Sequence, residues 1–159
     1  MNATATRLVN LLKEKNLRIT CAESCTGGLV AAAITSVAGS SEVFDGSLCS
    51  YANRIKNNML GVSAEVLDTK GAVSAPSARQ MAAGAMALFG ADLALSVTGI
   101  AGPGGGTAEK PVGTVFICCT HINGTGVVKR CRFKGDRDTV RAKSVEAALR
   151  TAIEILSKE

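Results

Sequence analysis

The residue types most capable of chemistry are concentrated between Thr20 and Lys56. An apolar run over 17–22 breaks at the turn ESCTGG (23–28) and continues as the apolar helical run LVAAAIT. Polar groups at the carboxyl end of a strand, followed by glycines and a helix N-terminus, are typical of ligand sites in α/β proteins. The unpaired amides of that helix's first turn could hold an anion or a developing oxyanion. A second strand-like run then ends near Tyr51, and Lys56 lies just beyond it.

Lys56 is a candidate general base because the chain has a single histidine, His121. A lysine can activate a serine when burial or nearby positive charge lowers its pKa. A single lysine after a strand is usually only solvated, so the lysine alone indicates little. The combination of Ser41, Tyr51 and Lys56 with the glycine-rich turns is what favours a catalytic role.

A third group of polar residues follows another apolar strand, at Thr98-Gly99. If this strand and the first one are neighbours, their terminal hydroxyls meet. For Ser24 and Thr26, however, helix capping explains the residue types as well as catalysis does. The loop 99–113 that follows holds neither a GxGxxG opening a helix nor a GxxxxGK[ST] motif. Its length and its position after a buried strand favour a binding role over a plain surface connection.

Composition limits the classes of protein that this chain can represent. At 159 residues with 47% hydrophobic residues, we expect one domain, residues 1–159, with a substantial core. Aromatic residues make up 3% and tryptophan is absent, so the core must be aliphatic. The net charge of +5 is spread along the chain, which argues against a nucleic-acid partner and fits a phosphorylated small molecule.

The cysteines and the N-terminal segment indicate the cellular compartment of the protein and whether it can bind a metal. None of the six cysteines forms a CxxC pair, so we expect no zinc site and reduced thiols. Cys25 alone lies in a polar turn, and a nucleophilic cysteine usually needs a histidine partner. The N-terminus reads as a charged amphipathic helix rather than a secretory signal, and no apolar run reaches membrane-spanning length. We therefore expect a cytoplasmic protein with no membrane association.

Hydrophobic periodicity and turn signals alternate between helix and strand along the chain. They predict a three-layer α/β/α sandwich with a mixed sheet, because the last two strands form a local hairpin. Asn53, Ser63 and Asp136 are the predicted N-caps of three helices. The predicted helices span 4–15, 28–37, 56–60, 64–70, 75–89 and 137–156, and the predicted strands span 17–22, 44–51, 92–98, 112–119 and 126–133.

At these motifs the chain resembles the CinA C-terminal domain family in its stand-alone form, whose members include the nicotinamide-nucleotide amidases. The resemblance covers nearly the whole chain, with the motifs in family order. The matching segments are AESCTGG (22–28), AGSSEVF (38–44), YANRIK (51–56), GAVSAPSARQMA (71–82), TGIAGPGGG (98–106), KPVGTV (110–115) and GDRDTVR (135–141).

The resemblance implies hydrolysis of nicotinamide mononucleotide to nicotinic acid mononucleotide and ammonia, in pyridine-nucleotide salvage. It implies a serine–lysine pair of Ser41 and Lys56, with Ser24, Tyr51 and Thr98 orienting groups or donating protons. Ser41 is favoured over Ser24 as the nucleophile because the resemblance and the short separation from Lys56 agree. Activation of water by Lys56 stays open as a third possibility.

The resemblance also implies a substrate-binding set, no metal, no cofactor and a homodimer. The ribose phosphate would be held by the glycine turns and by Arg137 or Arg141, because arginine suits paired phosphate contacts. A competing hypothesis is a non-catalytic nucleotide- or partner-binding module of the competence- and damage-inducible type. A metal-dependent hydrolase is disfavoured because potential ligands are few. The expected substrate-binding residues are Glu23, Thr26, Gly27, Gly28, Gly46, Gly99, Gly102, Gly104, Arg137 and Arg141.

Overall fold

Helices and strands alternate through residues 2–158, which are the residues that the computed structural model describes. The helices are α1 (Ala3–Lys15), α2 (Leu29–Thr35), α3 (Asn53–Leu60), α4 (Ala64–Thr69), α5 (Ala75–Phe89) and α6 (Arg137–Leu156). The strands are β1 (Ile19–Glu23), β2 (Phe44–Cys49), β3 (Leu93–Gly99), β4 (Thr114–His121) and β5 (Gly126–Arg132). A short 3-10 turn, Ser40–Glu42, precedes β2.

The five strands form one mixed sheet in the order β2-β1-β3-β4-β5. Strand β1 pairs in parallel with both β2 and β3, whereas β4 and β5 continue the sheet in antiparallel pairing. Glu23 at the end of β1 is in register with Cys49 of β2 and with Val97 of β3. The carboxyl ends of the three parallel strands therefore lie side by side at one edge of the sheet, where α/β proteins place their ligands.

Helices cover both faces of the sheet, which confirms the predicted three-layer sandwich. Helix α5 packs on one face against β3 and β4, and α3 and α4 pack against α5. Helix α6 covers the opposite face, with α1 and α2 beside it. The core is aliphatic, as the composition predicts, and it divides between the two faces. Neighbouring Cys118 and Cys119 in β4 fall in different clusters because successive side chains of a strand point to opposite faces.

Local capping explains where several helices begin. Ser63 and Asp136 are N-caps as predicted, and their side chains accept the N–H groups of Val66 and Thr139. The prediction for Asn53 was wrong, because Asn53 is the first residue of α3 and Ala52 is its N-cap. Helix α3 therefore begins one turn earlier than predicted.

Among residues 2–158, no helix combines the length and the apolar composition that crossing a membrane would require.

Candidate active site

Lys56 and Ser24 form a side-chain pair at the carboxyl edge of the parallel strands. The Nζ atom of Lys56 lies 3.0 Å from the Oγ atom of Ser24. Ser24 directly follows β1, and its N–H donates to the carbonyl of Val97 in β3 at 2.9 Å. Strands β1 and β3 therefore fix the position of Ser24.

Lys56 is buried, with 1% of its surface exposed, although lysine is seldom found in protein interiors. It occupies the inward face of the short helix α3, where Lys56 and Leu60 are the buried residues. Its Nζ donates to the carbonyl oxygens of Ser50 at 2.6 Å and Tyr51 at 3.4 Å. Burial lowers the pKa of the Lys56 amine, because removal from water disfavours the charged form.

The partners of Lys56 also decide which group its lone pair would face. A neutral amine keeps two N–H donors and one lone pair. The two main-chain carbonyls can only accept, so they take the two N–H groups, and the lone pair is left for the Ser24 hydroxyl. In the neutral state, the lone pair of Lys56 would therefore face the Ser24 hydroxyl.

Ser50 connects this pair to the sheet and was not among the predicted site residues. Its N–H and its hydroxyl both contact the carbonyl of Glu23, at 2.7 and 3.2 Å, while its own carbonyl holds Lys56. In the sequence, Ser50 is distinguished only as a small polar residue between the end of β2 and Tyr51.

A cavity of about 280 Å³ opens beside Ser24. This volume lies just below the range of small-molecule sites, roughly 300–1,000 Å³. Its lining combines the end of β1, the glycine-rich loop and the start of α6. Six predicted site residues line it, namely Ser24, Tyr51, Gly99, Gly102, Gly104 and Arg137, and sequence reasoning missed Cys25, Ile100, Ala101 and Gly105.

The structure does not bring Ser41 to Lys56, so the predicted Ser41–Lys56 pair was wrong. Ser41 is exposed in the turn before β2, at the amino end of the parallel strands. Its carbonyl accepts a hydrogen bond from Arg18, which also pairs with Asp45. Lys56 follows the carboxyl end of the same strand, and a six-residue strand spans roughly 17–20 Å. The strand therefore separates the two residues that the sequence places close together.

Glu23 supports the turn rather than the cavity. Its carboxylate is 1% exposed and accepts the N–H groups of Val30 and Ala31 at 2.9 and 3.1 Å. These are amides of the first turn of α2, where the sequence suggested an external anion or an oxyanion. An internal carboxylate already occupies that helix N-terminus, so the predicted contact of Glu23 with substrate is replaced by a capping contact.

Arg137 and Arg141 lie one turn apart on α6 and make different contacts. Arg137 is at the rim of the cavity and donates to the carbonyl of Gly102 at 2.7 Å and to the Tyr51 hydroxyl at 3.1 Å. Arg141 instead donates to the carbonyls of Cys25 and Thr26, at 3.1 and 3.3 Å. Only Arg137 therefore presents its guanidinium to the cavity.

Three further predicted residues hold the site from outside the cavity lining. The Thr98 hydroxyl donates to the carbonyl of Ala72 at 2.9 Å, which ties β3 to the segment before α5. Gly27 and Gly28 have positive φ values of 58° and 103°, so they allow the sharp turn between β1 and α2.

Two other predicted substrate contacts, Thr26 and Gly46, do not line the cavity. Thr26 has no exposed surface, and its hydroxyl has no hydrogen-bond partner within residues 2–158. Gly46 lies in the middle of β2, where a Cβ atom would approach the ring of Phe89 in α5 to 2.8 Å. Gly46 therefore allows α5 to pack closely on the sheet, away from the cavity lining.

Cys25 lines the cavity next to Ser24, and its thiol is free, as are the other five cysteines. Burial raises the pKa of the Cys25 thiol to about 11, so the thiol is protonated near neutral pH. Cys25 therefore lacks the thiolate that a cysteine nucleophile needs. In the described part of the chain, His, Cys, Asp and Glu side chains form no group of three that could hold a metal ion.

The fold and this edge of the sheet define the class of protein as an α/β sandwich with a lysine–serine pair at the ends of its parallel strands. The family model for the CinA C-terminal domain matches residues 1–156, and the chain belongs to that family.

Two curated relatives match this chain over most of both lengths. A nicotinamide-nucleotide amidohydrolase PncC from Enterobacter agglomerans is 49% identical over 142 residues, 89% of this chain and 87% of that protein. Its counterpart from Escherichia coli K12 is 48% identical over 140 residues, covering 88% and 85%. A longer relative, a CinA-like protein from Geobacter sulfurreducens, is 51% identical over 148 residues, 93% of this chain. The chain spans only 36% of that relative's length.

Solved structures agree with the family assignment. The competence/damage inducible protein CihA from Agrobacterium tumefaciens superposes with a TM-score of 0.94 at 44% identity, covering 96% of this chain and 93% of that one. A competence-damaged protein (CinA) superfamily protein from Escherichia coli gives a TM-score of 0.91 at 34% identity, covering 96% and 88%.

Proposed function

We propose that this protein hydrolyses the carboxamide of nicotinamide mononucleotide to nicotinic acid mononucleotide and ammonia, as a step of pyridine-nucleotide salvage. The observation that carries the proposal is the buried amine of Lys56, 3.0 Å from the Ser24 hydroxyl beside a cavity. The two relatives named nicotinamide-nucleotide amidohydrolase, which match over most of their lengths, support the choice of substrate.

In the proposed mechanism, Ser24 replaces Ser41 as the nucleophile. Neutral Lys56 takes the proton of the Ser24 hydroxyl while Oγ attacks the carboxamide carbon. The tetrahedral intermediate collapses as the carbon–nitrogen bond breaks, and the Lys56 ammonium returns its proton to the leaving nitrogen, which departs as ammonia. Water, deprotonated by Lys56, then attacks the Ser24 ester, and the Lys56 ammonium returns this proton to the Ser24 oxygen as the carboxylic acid product leaves.

The rim of the cavity suits the remainder of the substrate. Arg137 can exchange its contacts with Tyr51 and Gly102 for paired contacts with a phosphate. The ring of Tyr51, which is 61% exposed, can then face the cationic pyridinium. Because Glu23 occupies the N-terminus of α2, the phosphate binds at Arg137 and the glycine-rich loop rather than at that helix.

We also propose that the protein is a cytoplasmic homodimer made of single-domain chains. Light scattering after size-exclusion chromatography tests the stoichiometry, since a monomeric mass at assay concentration would contradict it.

The decisive experiment for the function is product analysis. Purified protein incubated with nicotinamide mononucleotide should release ammonia and nicotinic acid mononucleotide in equal amounts. If calorimetry detects binding of nicotinamide mononucleotide while no ammonia forms, the protein is a nucleotide-binding module and the proposal fails.

A further inference from the structure

We infer that Arg137 and Tyr51 form a bridge across the mouth of the cavity, and that the phosphate of the substrate opens this bridge. The bridge consists of the Tyr51 hydroxyl, the Arg137 guanidinium and the Gly102 carbonyl. A phosphate monoester then speeds turnover as well as binding, and Tyr51 and Arg137 determine specificity for it. The inference rests on the proposed function and deepens it.

The order of the strands places the bridge across the strand end that carries Ser24. Tyr51 lies beyond the end of β2 and Gly102 beyond the end of β3, whereas Ser24 follows β1, the strand between them. Arg137, the first residue of α6, joins the two outer segments, since it donates to Gly102 at 2.7 Å and to Tyr51 at 3.1 Å. All four residues line the same cavity. The bridge therefore spans the cavity from one side of Ser24 to the other.

The bridge lies on the solvent side of the cavity. Tyr51 and Arg137 are exposed, whereas Ser24 is half-buried and Lys56 is buried. The bridged cavity holds about 280 Å³, just below the range of sites that enclose small molecules, roughly 300–1,000 Å³. A mononucleotide that brings its carboxamide to Ser24 therefore has to displace the bridge.

A phosphate can replace the contacts that hold the bridge closed. Both acceptors of Arg137 are neutral, and among residues 2–158 no carboxylate forms an ion pair with it. A phosphate carries negative charge and can accept two parallel N–H bonds from one guanidinium. The phosphate of a mononucleotide therefore draws Arg137 away from Tyr51 and Gly102. Nicotinamide riboside lacks the phosphate, so it has to break the bridge without replacing its contacts.

The test supplies the phosphate separately from the rest of the substrate. Ammonia release from nicotinamide riboside is measured with inorganic phosphate added, and with sodium chloride of equal ionic strength as the control. In the wild type, phosphate should raise kcat/KM for the riboside on the order of tenfold, the factor that one hydrogen bond to a charged group contributes.

Two variants separate the bridge from simple phosphate binding. Tyr51→Phe keeps the ring but removes the hydroxyl, so kcat/KM for the riboside alone should rise and added phosphate should have a smaller effect. Arg137→Met removes both the bridge and the phosphate contact, so the riboside alone should again react faster and phosphate should have no effect. Both side chains are exposed, so both variants should fold. Arg150→Met is the matched control on α6, because Arg150 pairs with Glu146 and does not line this cavity, and it should respond to phosphate as the wild type does.

A second readout needs no turnover. Tyr51 is the single tyrosine of the chain and tryptophan is absent, so intrinsic fluorescence reports on Tyr51 alone. Titration with ribose 5-phosphate, which has no aromatic ring, should give a saturable change of the wild-type emission as the Tyr51 hydroxyl leaves Arg137. Arg137→Met should show only the linear, collisional change that phosphate causes with free tyrosine.

The outcomes separate this inference from the proposed function. If the wild type turns over neither substrate, the proposed function fails, and a saturable emission change that Arg137→Met abolishes still supports the bridge. If nicotinamide mononucleotide is hydrolysed but phosphate and Arg137→Met both leave turnover of the riboside unchanged, the proposed function stands and the inference is overturned.

Discussion

Replacement of Lys56 by methionine tests the general base most fully. Methionine keeps the length and the apolar stem of the side chain but removes the amine 3.0 Å from Ser24. General-base catalysis contributes about 10²–10⁴-fold, or roughly 3–5 kcal/mol at 1.36 kcal/mol per tenfold. We expect kcat of Lys56→Met to fall ~10⁴-fold, because among residues 2–158 no other side chain hydrogen-bonds to the Ser24 hydroxyl.

The same substitution has a calculable effect on stability. The buried carbonyl of Ser50 loses the donor that lies 2.6 Å away, which costs about 1–3 kcal/mol. Removing a buried amine offsets part of this cost, so the variant should stay folded. Because burial lowers the pKa of Lys56, the unfolded state binds more protons than the folded state between the lowered and the ordinary pKa. Wild-type stability relative to Lys56→Met should therefore rise with pH across that interval.

The assay is ammonia release from nicotinamide mononucleotide over a range of pH, for wild type, Lys56→Met and Lys56→Arg. Wild-type kcat/KM should rise with pH through the lowered pKa of Lys56, since only the neutral amine accepts a proton. Lys56→Arg should be inactive because arginine does not release its proton. Near-normal turnover by Lys56→Arg would show that Lys56 is not the general base. Lys56 would then act only as a hydrogen-bond donor or as a positive charge.

The remaining predictions concern Cys25, the phosphate and metals. Cys25→Ala should keep most of the turnover, because the thiol is protonated near neutral pH with a pKa raised to about 11; a loss of several orders of magnitude in a folded variant would contradict the serine mechanism. Wild-type protein should strongly prefer nicotinamide mononucleotide over nicotinamide riboside, and equal kcat/KM for both would show that Arg137 does not bind the phosphate. Activity should survive exhaustive chelation, and a loss that only a divalent ion restores would exclude the metal-free mechanism.

The sequence predicts the architecture well because its signals are local. Every layer of the sandwich follows from the hydrophobic periodicity, the N-caps Ser63 and Asp136, and the hairpin pattern. The predicted bounds of α5 and α6 agree with the structure. The same reasoning places Lys56 near the first polar turn, because strand ends converge in α/β sheets.

Separation along the sequence was a poor guide to which serine lies next to Lys56. Ser41 precedes Lys56 by only 15 residues, yet β2 runs between them and carries them to opposite ends of the sheet. Ser24 lies 32 residues before Lys56, but the parallel pairing of β1 with β2 returns it to the same edge. The contact of Arg141 with Cys25 spans 116 residues, and no local pattern in the sequence indicates it.

Turnover of nicotinamide mononucleotide by Ser24→Ala and Ser41→Ala tests the central claim most directly. The two substitutions are chemically identical, but only Ser24 contacts Lys56 at the cavity, whereas Ser41 is exposed at the far end of β2. We predict that Ser24→Ala lowers kcat by ~10³-fold or more, as expected for loss of a nucleophile, and that Ser41→Ala stays within about threefold of wild type. Loss of turnover in Ser41→Ala, with activity retained in Ser24→Ala, would contradict the account.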